Sequence, residues 1–253
     1  MGLGDDIRKG VAKDFEQEAA RKIINAIDKW RKGGKTSIAQ KRWLFELTQN
    51  ALDTAKGRKN DNLRIEIDVP NNDVIIFRHN AGYFDPRELR ALIYAYSTKP
   101  YERKSELTGR FATGFLVTHI VSRKVQINGF INKEEEIYSF TTTIDRESDN
   151  INGISQSIKD SFKGINEANK VTQNDKEFWT EYKYSADDDT GRKAIEEGIL
   201  NFKEIIPFLS AFNNINRITI NNESFEHKTE NYKEVHIITI GTKQVWIREN
   251  QKV

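Results

Sequence analysis

The sequence predicts an α/β (α+β) fold, helices packed on a mostly antiparallel sheet, and three features of the chain predict it. Leu63-Arg64-Ile65-Glu66-Ile67-Asp68-Val69 alternates apolar and polar residues, the pattern of a half-buried strand. Pro70-Asn71-Asn72-Asp73 reads as a turn and Val74–Arg78 as the returning strand, so the pair forms a hairpin. Stretches of helical period flank it, and 253 residues with 37% apolar content suffice for one large domain with a real core, or two small ones.

Each element follows in order. Ile7, Val11, Phe15, Ala19, Ile23 and Ile27 fall near helical spacing, so residues 5–31 are expected to form an amphipathic helix. Gly33-Gly34 ends it, and a second helix runs to Gly57. Beyond the hairpin, Asp85-Pro86-Arg87-Glu88 sets an acceptor side chain ahead of a proline and opens a helix to about Tyr94. Ser97 to Thr108 is polar and aperiodic and contains Pro100, the composition of a mobile loop. Leu116–Val121 reads as helix. Val125–Phe130 and Ile137–Asp145 read as antiparallel strands with Asn132-Lys133-Glu134 near their turn. Residues 146–175 are polar, and Ile154, Ile158, Phe162 and Ile165 place one short helix among them. Phe178–Tyr184 is a strand, and Lys193–Phe212 contains a helix bent near Pro207. Arg217–Asn221 and Val235–Ile247 are late strands, the second broken by Gly241-Thr242. A fresh hairpin at Glu249–Val253 suggests the front module of something longer.

Composition narrows the function. No run approaches the roughly 18 apolar residues of a membrane span, and the N-terminus lacks the basic-then-apolar layout of a signal peptide. The chain has no cysteine, which excludes disulfides and thiolate metal sites and fits a cytoplasmic location. A net charge of +2 from 40 basic and 38 acidic residues gives no global attraction to nucleic acid.

The most informative stretch is Glu46-Leu47-Thr48-Gln49-Asn50-Ala51-Leu52-Asp53. On a helix, Glu46, Asn50 and Asp53 lie at i, i+4 and i+7 and share one face. Two acids and an amide without a basic partner make poor core and ordinary surface. The set suits a hard cation and a water, because a carboxylate can orient water and an amide oxygen can reach Mg²⁺. A solvated helix face is the plain alternative. Two further segments follow: His79-Asn80-Ala81-Gly82-Tyr83-Phe84, and Thr108-Gly109-Arg110-Phe111-Ala112-Thr113-Gly114-Phe115 before the Leu116–Val121 pattern.

In this order and spacing the three segments resemble the ATP-binding domain shared by DNA gyrase, the ninety-kilodalton heat-shock chaperone, sensor histidine kinases and MutL, the GHKL or Bergerat fold. The Glu-x-x-x-Asn-x-x-Asp helix matches that family's N-box. The flavour of the other motifs is similar to the branch holding the chaperone, sacsin and large bacterial proteins. The resemblance covers about Trp43 to Ile220. It implies a two-layer sandwich, a mixed, mostly antiparallel sheet covered on one face by helices, with nucleotide between the layers. It also implies an ATP-binding domain at 1–230, with an N-terminal helix at 1–34 and an ATP lid at 97–108. Residues 231–253 are left as a C-terminal hairpin, the possible start of a downstream domain.

The resemblance assigns roles residue by residue. Glu46 is the general base that polarises water, Asn50 the Mg²⁺ ligand, and Asp53 fixes the helix against the adenine side. His79 stands where much of the family has an adenine-binding Asp, and its neutral ring offers one acceptor nitrogen. Asn80 shares that task, Gly82 is able to carry a tight turn of this loop by itself, and Phe84 completes it. Ala81 and Ala112 stand where related patterns have glycine, which costs about 1–2 kcal/mol wherever φ must be positive. Gly109, Arg110, Phe111, Ala112, Thr113, Gly114 and Phe115 form the phosphate cradle at a helix start. Ser97, Thr98 and Lys99 cap the phosphates when the loop closes, and Thr180 lies on a central strand beneath the adenine. His119, inside an apolar helix, reads as a core residue.

The function this implies is Mg²⁺-dependent ATP binding, with slow hydrolysis driving a conformational change in a larger protein of stress or phage-defence type. ATP and ADP, downstream domains and a nucleotide-dependent dimer are the expected partners, with no membrane. One rival is a nucleotide-sensing or structural module whose pocket no longer hydrolyses ATP, favoured by Ala81 and Ala112. Another is a nucleic-acid-associated ATPase of the same fold, which would need lysines clustered on one face.

Overall fold

The computed structural model describes residues 3–96, 113–171, 177–213, 215–226, 228–232, 235–240 and 243–248. Two long helices, α1 (Leu3–Arg31) and α2 (Thr36–Arg58), precede a hairpin of β1 (Leu63–Asn71) and β2 (Val74–His79). A short helix, α3 (Pro86–Tyr94), is followed by α4 (Thr113–Val117), β3 (Lys124–Lys133), β4 (Glu136–Asp145) and α5 (Ile151–Asn166). The remainder comprises β5 (Asn169–Lys170), β6 (Thr180–Ser185), α6 (Asp189–Phe212), β7 (Ile215–Ile220), β8 (Glu223–Glu226), β9 (Lys228–Tyr232), β10 (Val235–Ile240) and β11 (Lys243–Arg248).

The main sheet has eight strands in the order β5-β4-β3-β6-β2-β1-β7-β8. Its β1–β7 pair is parallel and the other described pairs are antiparallel, so the sheet is mixed as expected. Side-chain alternation then sorts its two faces. Leu63, Ile65 and Ile67 of β1, Ile75 and Phe77 of β2, and Tyr182 and Tyr184 of β6 are all buried, and they join one core with α1, α2, α5 and α6. The opposite face carries a polar row instead. Arg78 pairs with Asp68 and Glu181, Asn128 donates to Glu181 at 2.8 Å, and Thr141 donates to Asn128 at 2.9 Å. Among the described residues, helices therefore cover one face of this sheet.

Packing between helices depends on small residues at particular places. The Trp43 indole donates to the Ala194 carbonyl at 2.8 Å, and a β-carbon at Gly198 would stand 2.3 Å from its ring nitrogen. Gly198 thus makes the notch that lets α6 seat against α2. On α5, Ser161 donates to Thr143 of β4 at 2.9 Å, while a Cβ at Gly164 would meet the Thr141 carbonyl at 2.6 Å. Small side chains let α5 lie close along β4 and cover its outer edge.

Local differences from the sequence reading have local causes. Strand β1 continues through Pro70 to Asn71, because a register shift between Asp68 and Asn71 accommodates a residue with no N–H. The turn of the β3–β4 hairpin uses Glu134 and Glu135, both at positive φ (54° and 69°), as hairpin twist demands. The expected helix over Leu116–Val121 is α-helical only to Val117 and tightens to a 3₁₀ turn at Thr118–Ile120. There the Thr118 hydroxyl donates to the Phe115 carbonyl at 2.7 Å, which competes with continuation of the helix. Helix α6 runs through Pro207, whose ring forfeits a single backbone bond. A second, three-stranded sheet, β11-β10-β9, packs beside α6 and begins at Lys228.

Candidate functional site

The loop after β2 is built by its own polar groups. The Asn80 side chain accepts from the Arg64 N–H at 2.7 Å and donates to the Asn62 carbonyl at 3.1 Å, while its carbonyl accepts from Asn60 at 2.7 Å. Asn80 thereby ties this loop to the entry of β1. Gly82 carries the positive φ, 129°, and Arg58 of α2 closes over it, donating to the Tyr83 carbonyl and to Glu88. Ala81 is fully buried and is not among the residues at positive φ, so the backbone strain expected at Ala81 is absent. Phe84 pairs its backbone with Phe130 and Asn132 and packs its ring on Phe140. It anchors the loop to β3.

His79 and Thr180 are cross-strand partners of β2 and β6, and both are buried on the helix-covered face. The Ala81 N–H donates to His79 Nδ1 at 3.2 Å. Burial pushes the His79 ring down to about 4, so it is neutral at pH 7. The Thr180 hydroxyl is enclosed and has no hydrogen-bond partner among the described residues. A buried polar atom without a partner is costly, about 1–3 kcal/mol, and at a site it points to a ligand that would complete it.

On the helix side, α2 buries Trp43, Leu44, Leu47 and Ala51 and leaves Glu46, Asn50 and Asp53 half-buried. Glu46 is held through one oxygen: Arg42 Nη2 donates to Oε1 at 2.7 Å. The expected face without a basic partner is thus corrected, since Arg42 sits one turn upstream on the same stripe. The spacing Arg42-x-x-x-Glu46 was visible in the sequence, but i,i+4 pairs are so common on helix surfaces that it did not stand out. The other Glu46 oxygen faces α4, where a β-carbon on Gly114 would lie 2.6 Å from Oε2. Only glycine lets the start of α4 approach the carboxylate this closely.

Asn50 has no hydrogen-bonded partner among the described residues, whereas Asp53 accepts from Gln49 at 3.2 Å. Among the described residues no group of three or more His, Asp or Glu side chains could hold a metal alone. A Mg²⁺ ion at Asn50 would have to take most of its oxygen ligands from phosphates and water, the usual habit of this ion.

Phe115 is buried, its ring 6.0 Å from that of Tyr182, so it serves the core beneath α4. His119 is buried as well, with Nδ1 3.1 Å from the Ser122 carbonyl and Nε2 enclosed without a partner among the described residues. Burial, aided by the Arg146 charge, pushes it down to about 3. Ser97, Thr98, Lys99, Gly109, Arg110, Phe111 and Ala112 lie outside the described residues, as does the Thr113 side chain. A separate polar recess between β4 and α5, lined by Thr142, Asp145, Gln156, Ser157 and Asp160, contains none of the expected site residues.

No family model matches the chain, and no curated protein sequence does. Its structure is similar to the ATPase region of Saccharomyces cerevisiae topoisomerase II. That likeness has a TM-score of 0.47 with 10% sequence identity, and it covers 78% of this chain and 57% of the other.

Proposed function

We propose that this chain is a GHKL-type ATP-binding domain of the chaperone and sacsin flavour. It binds ATP with Mg²⁺ between the sheet and α2 and hydrolyses it slowly to switch the conformation of a larger assembly. One observation carries the reading most: Glu46 Oε2 meets the start of α4 at Gly114 while the unpartnered Thr180 hydroxyl lies on the sheet beside His79. Glu46 of α2, Gly114 of α4 and His79 and Thr180 of the sheet come from distant parts of the chain, which supports the reading.

The residues present fit the nucleotide. Thr180 and His79 supply polar groups for a base, and Asn50 supplies an amide oxygen for the ion. Mg²⁺ would neutralise charge on the phosphates. Glu46, steadied by Arg42, is placed to accept a proton from an attacking water, a contribution of about 10²–10⁴ to rate for such a base. Arg58 and Asn80 hold the loop against α2 and β1, so they position the site without contacting the phosphates. A nucleotide-dependent dimer and attachment to downstream domains fit a switching role, as does a place in stress or phage defence.

The test is turnover of ATP by the protein and by Glu46→Ala. The reading expects a loss of about 100-fold or more in kcat with ATP affinity changed little, because a general base acts in the transition state. Loss of ATP binding with turnover per bound complex retained would reverse the assignment.

A further inference from the structure

We propose that Arg31, the last residue of α1, is a positioning residue that sets how closely α4 approaches Glu46 and thereby sets turnover. The inference rests on the reading of Glu46 as the base and concerns what holds its neighbouring helix in place.

Helix α4 cannot hold itself. It has five residues and a following 3₁₀ turn, Thr118–Ile120, whereas isolated helices need about 12–15 residues to be even marginal in water. Its start lies on the carboxylate, since a β-carbon at Gly114 would stand 2.6 Å from Glu46 Oε2. Whatever fixes its far end therefore governs that approach. The last carbonyls of a helical turn find no partner within the turn itself. Arg31 supplies one from distant sequence: Nη1 donates to the His119 carbonyl at 2.8 Å and to the Ile120 carbonyl at 3.1 Å. Its positive charge also suits the C-terminal end of a helix.

The same guanidinium is held from the other side. Nη2 pairs with Asp188, and Asp187 lies 3.7 Å away. Asp188 is the N-cap of α6 and accepts from the Gly191 N–H at 2.8 Å. A β-carbon at Gly191 would stand 2.1 Å from the Val121 carbonyl, so the first turn of α6 rests on the segment that Arg31 caps. The backbone of Arg31 is anchored too, because the Thr36 hydroxyl at the start of α2 donates to its carbonyl at 3.3 Å. One residue thus joins the helix that carries Glu46, the turn behind Gly114 and the cap of α6. Its planar fork serves carbonyls and a carboxylate together, a geometry that the ammonium of lysine does not reproduce.

Two measurements on the unaltered protein, Arg31→Lys and Arg31→Met test this: ATP turnover, and hydrogen exchange without nucleotide. The expected kcat is lower by about tenfold in Arg31→Met and by less in Arg31→Lys, with KM within about twofold in both. Amides of residues 115–121 should exchange about tenfold faster or more in Arg31→Met, while β1 and β2 keep their protection. A merely structural role would lower protection across the whole core and leave kcat per folded molecule unchanged. That pattern overturns the proposal, as does a KM that rises while kcat holds. If Arg31→Met does not fold, Arg31→Lys carries the same comparison. Turnover unchanged in both variants removes this role and leaves the base reading intact. Absence of turnover in the unaltered protein removes the two together.

Discussion

The two ends of the candidate site are built in opposite ways. At the sheet end, His79 and Thr180 are buried, paired in register across two central strands, and Asn80 locks the adjoining loop through three hydrogen bonds. At the helix end, Glu46 is half-buried, its partner Arg42 is 56% exposed, and the facing helix α4 is five residues long. The sheet end is fixed by folding itself. The helix end is held by a surface ion pair and a close approach that any small movement of α4 would alter. On the proposed reading, the sheet end should therefore be rigid and the geometry around Glu46 should respond to nearby changes.

The largest expected effect is seen with pH and comes from two buried rings, His79 at the sheet end and His119 in the turn after α4. His79 falls to about 4 and His119 to about 3, both below the usual 6.5. The unfolded chain therefore binds protons that the native state refuses. Stability from these rings is complete above about pH 6.5 and is lost as pH falls toward 4, by roughly 3 kcal/mol for each ring. Denaturant unfolding between pH 7 and pH 4 should show that decline, and His79→Gln should flatten it. An unchanged slope in His79→Gln would mean that the ring is not buried neutral.

Gly114→Ala should come next, at the helix end. Its β-carbon would stand 2.6 Å from Glu46 Oε2, so either the carboxylate or α4 must shift. A displacement of that order in a base typically lowers kcat by about tenfold or more. In the Glu46→Ala background the same substitution should cost almost nothing, since the clashing oxygen is gone. Equal effects in both backgrounds would place Gly114 outside the catalytic geometry.

Arg42→Ala should be milder, about threefold to tenfold in kcat with little change in ATP affinity. Surface i,i+4 pairs contribute only about 0.3–0.5 kcal/mol to a helix, so stability should hardly move. Partial rescue by Arg42→Lys would mark the charge as an orienting group. A stability loss without a rate effect would make it an ordinary surface pair.

Much of this contrast was legible in the sequence, and unevenly so. Alternation in Leu63–Val69 and Val74–Arg78 and the Asp85-Pro86 helix start are local signals, and the structure reproduces the hairpin and a capped α3. The Asn80 side chain could not be read that way, because its partners are the backbone groups of Asn62 and Arg64, whose proximity arises only when β1 meets β2. Ala81 teaches the same lesson in reverse. The resemblance puts glycine at Ala81 and leaves open that Gly82 carries the turn; the positive φ falls on Gly82, and Ala81 fills core space. Ala81→Gly should consequently bring no gain in nucleotide affinity and cost about 1 kcal/mol of stability. Tighter binding in that variant, measured with ADP, would restore the idea of a compromised pocket.

The central claim is that Asn50, on the helix end, and the Thr180–His79 pair, on the sheet end, bracket one Mg²⁺-dependent triphosphate. Calorimetric titration with a non-hydrolysable ATP analogue, with and without Mg²⁺, on the protein and on Asn50→Ala tests it most directly. The account predicts one nucleotide per chain, affinity that rises with Mg²⁺, and loss of that rise in Asn50→Ala. Identical affinity with and without Mg²⁺ in the unaltered protein, or no binding under either condition, would contradict it.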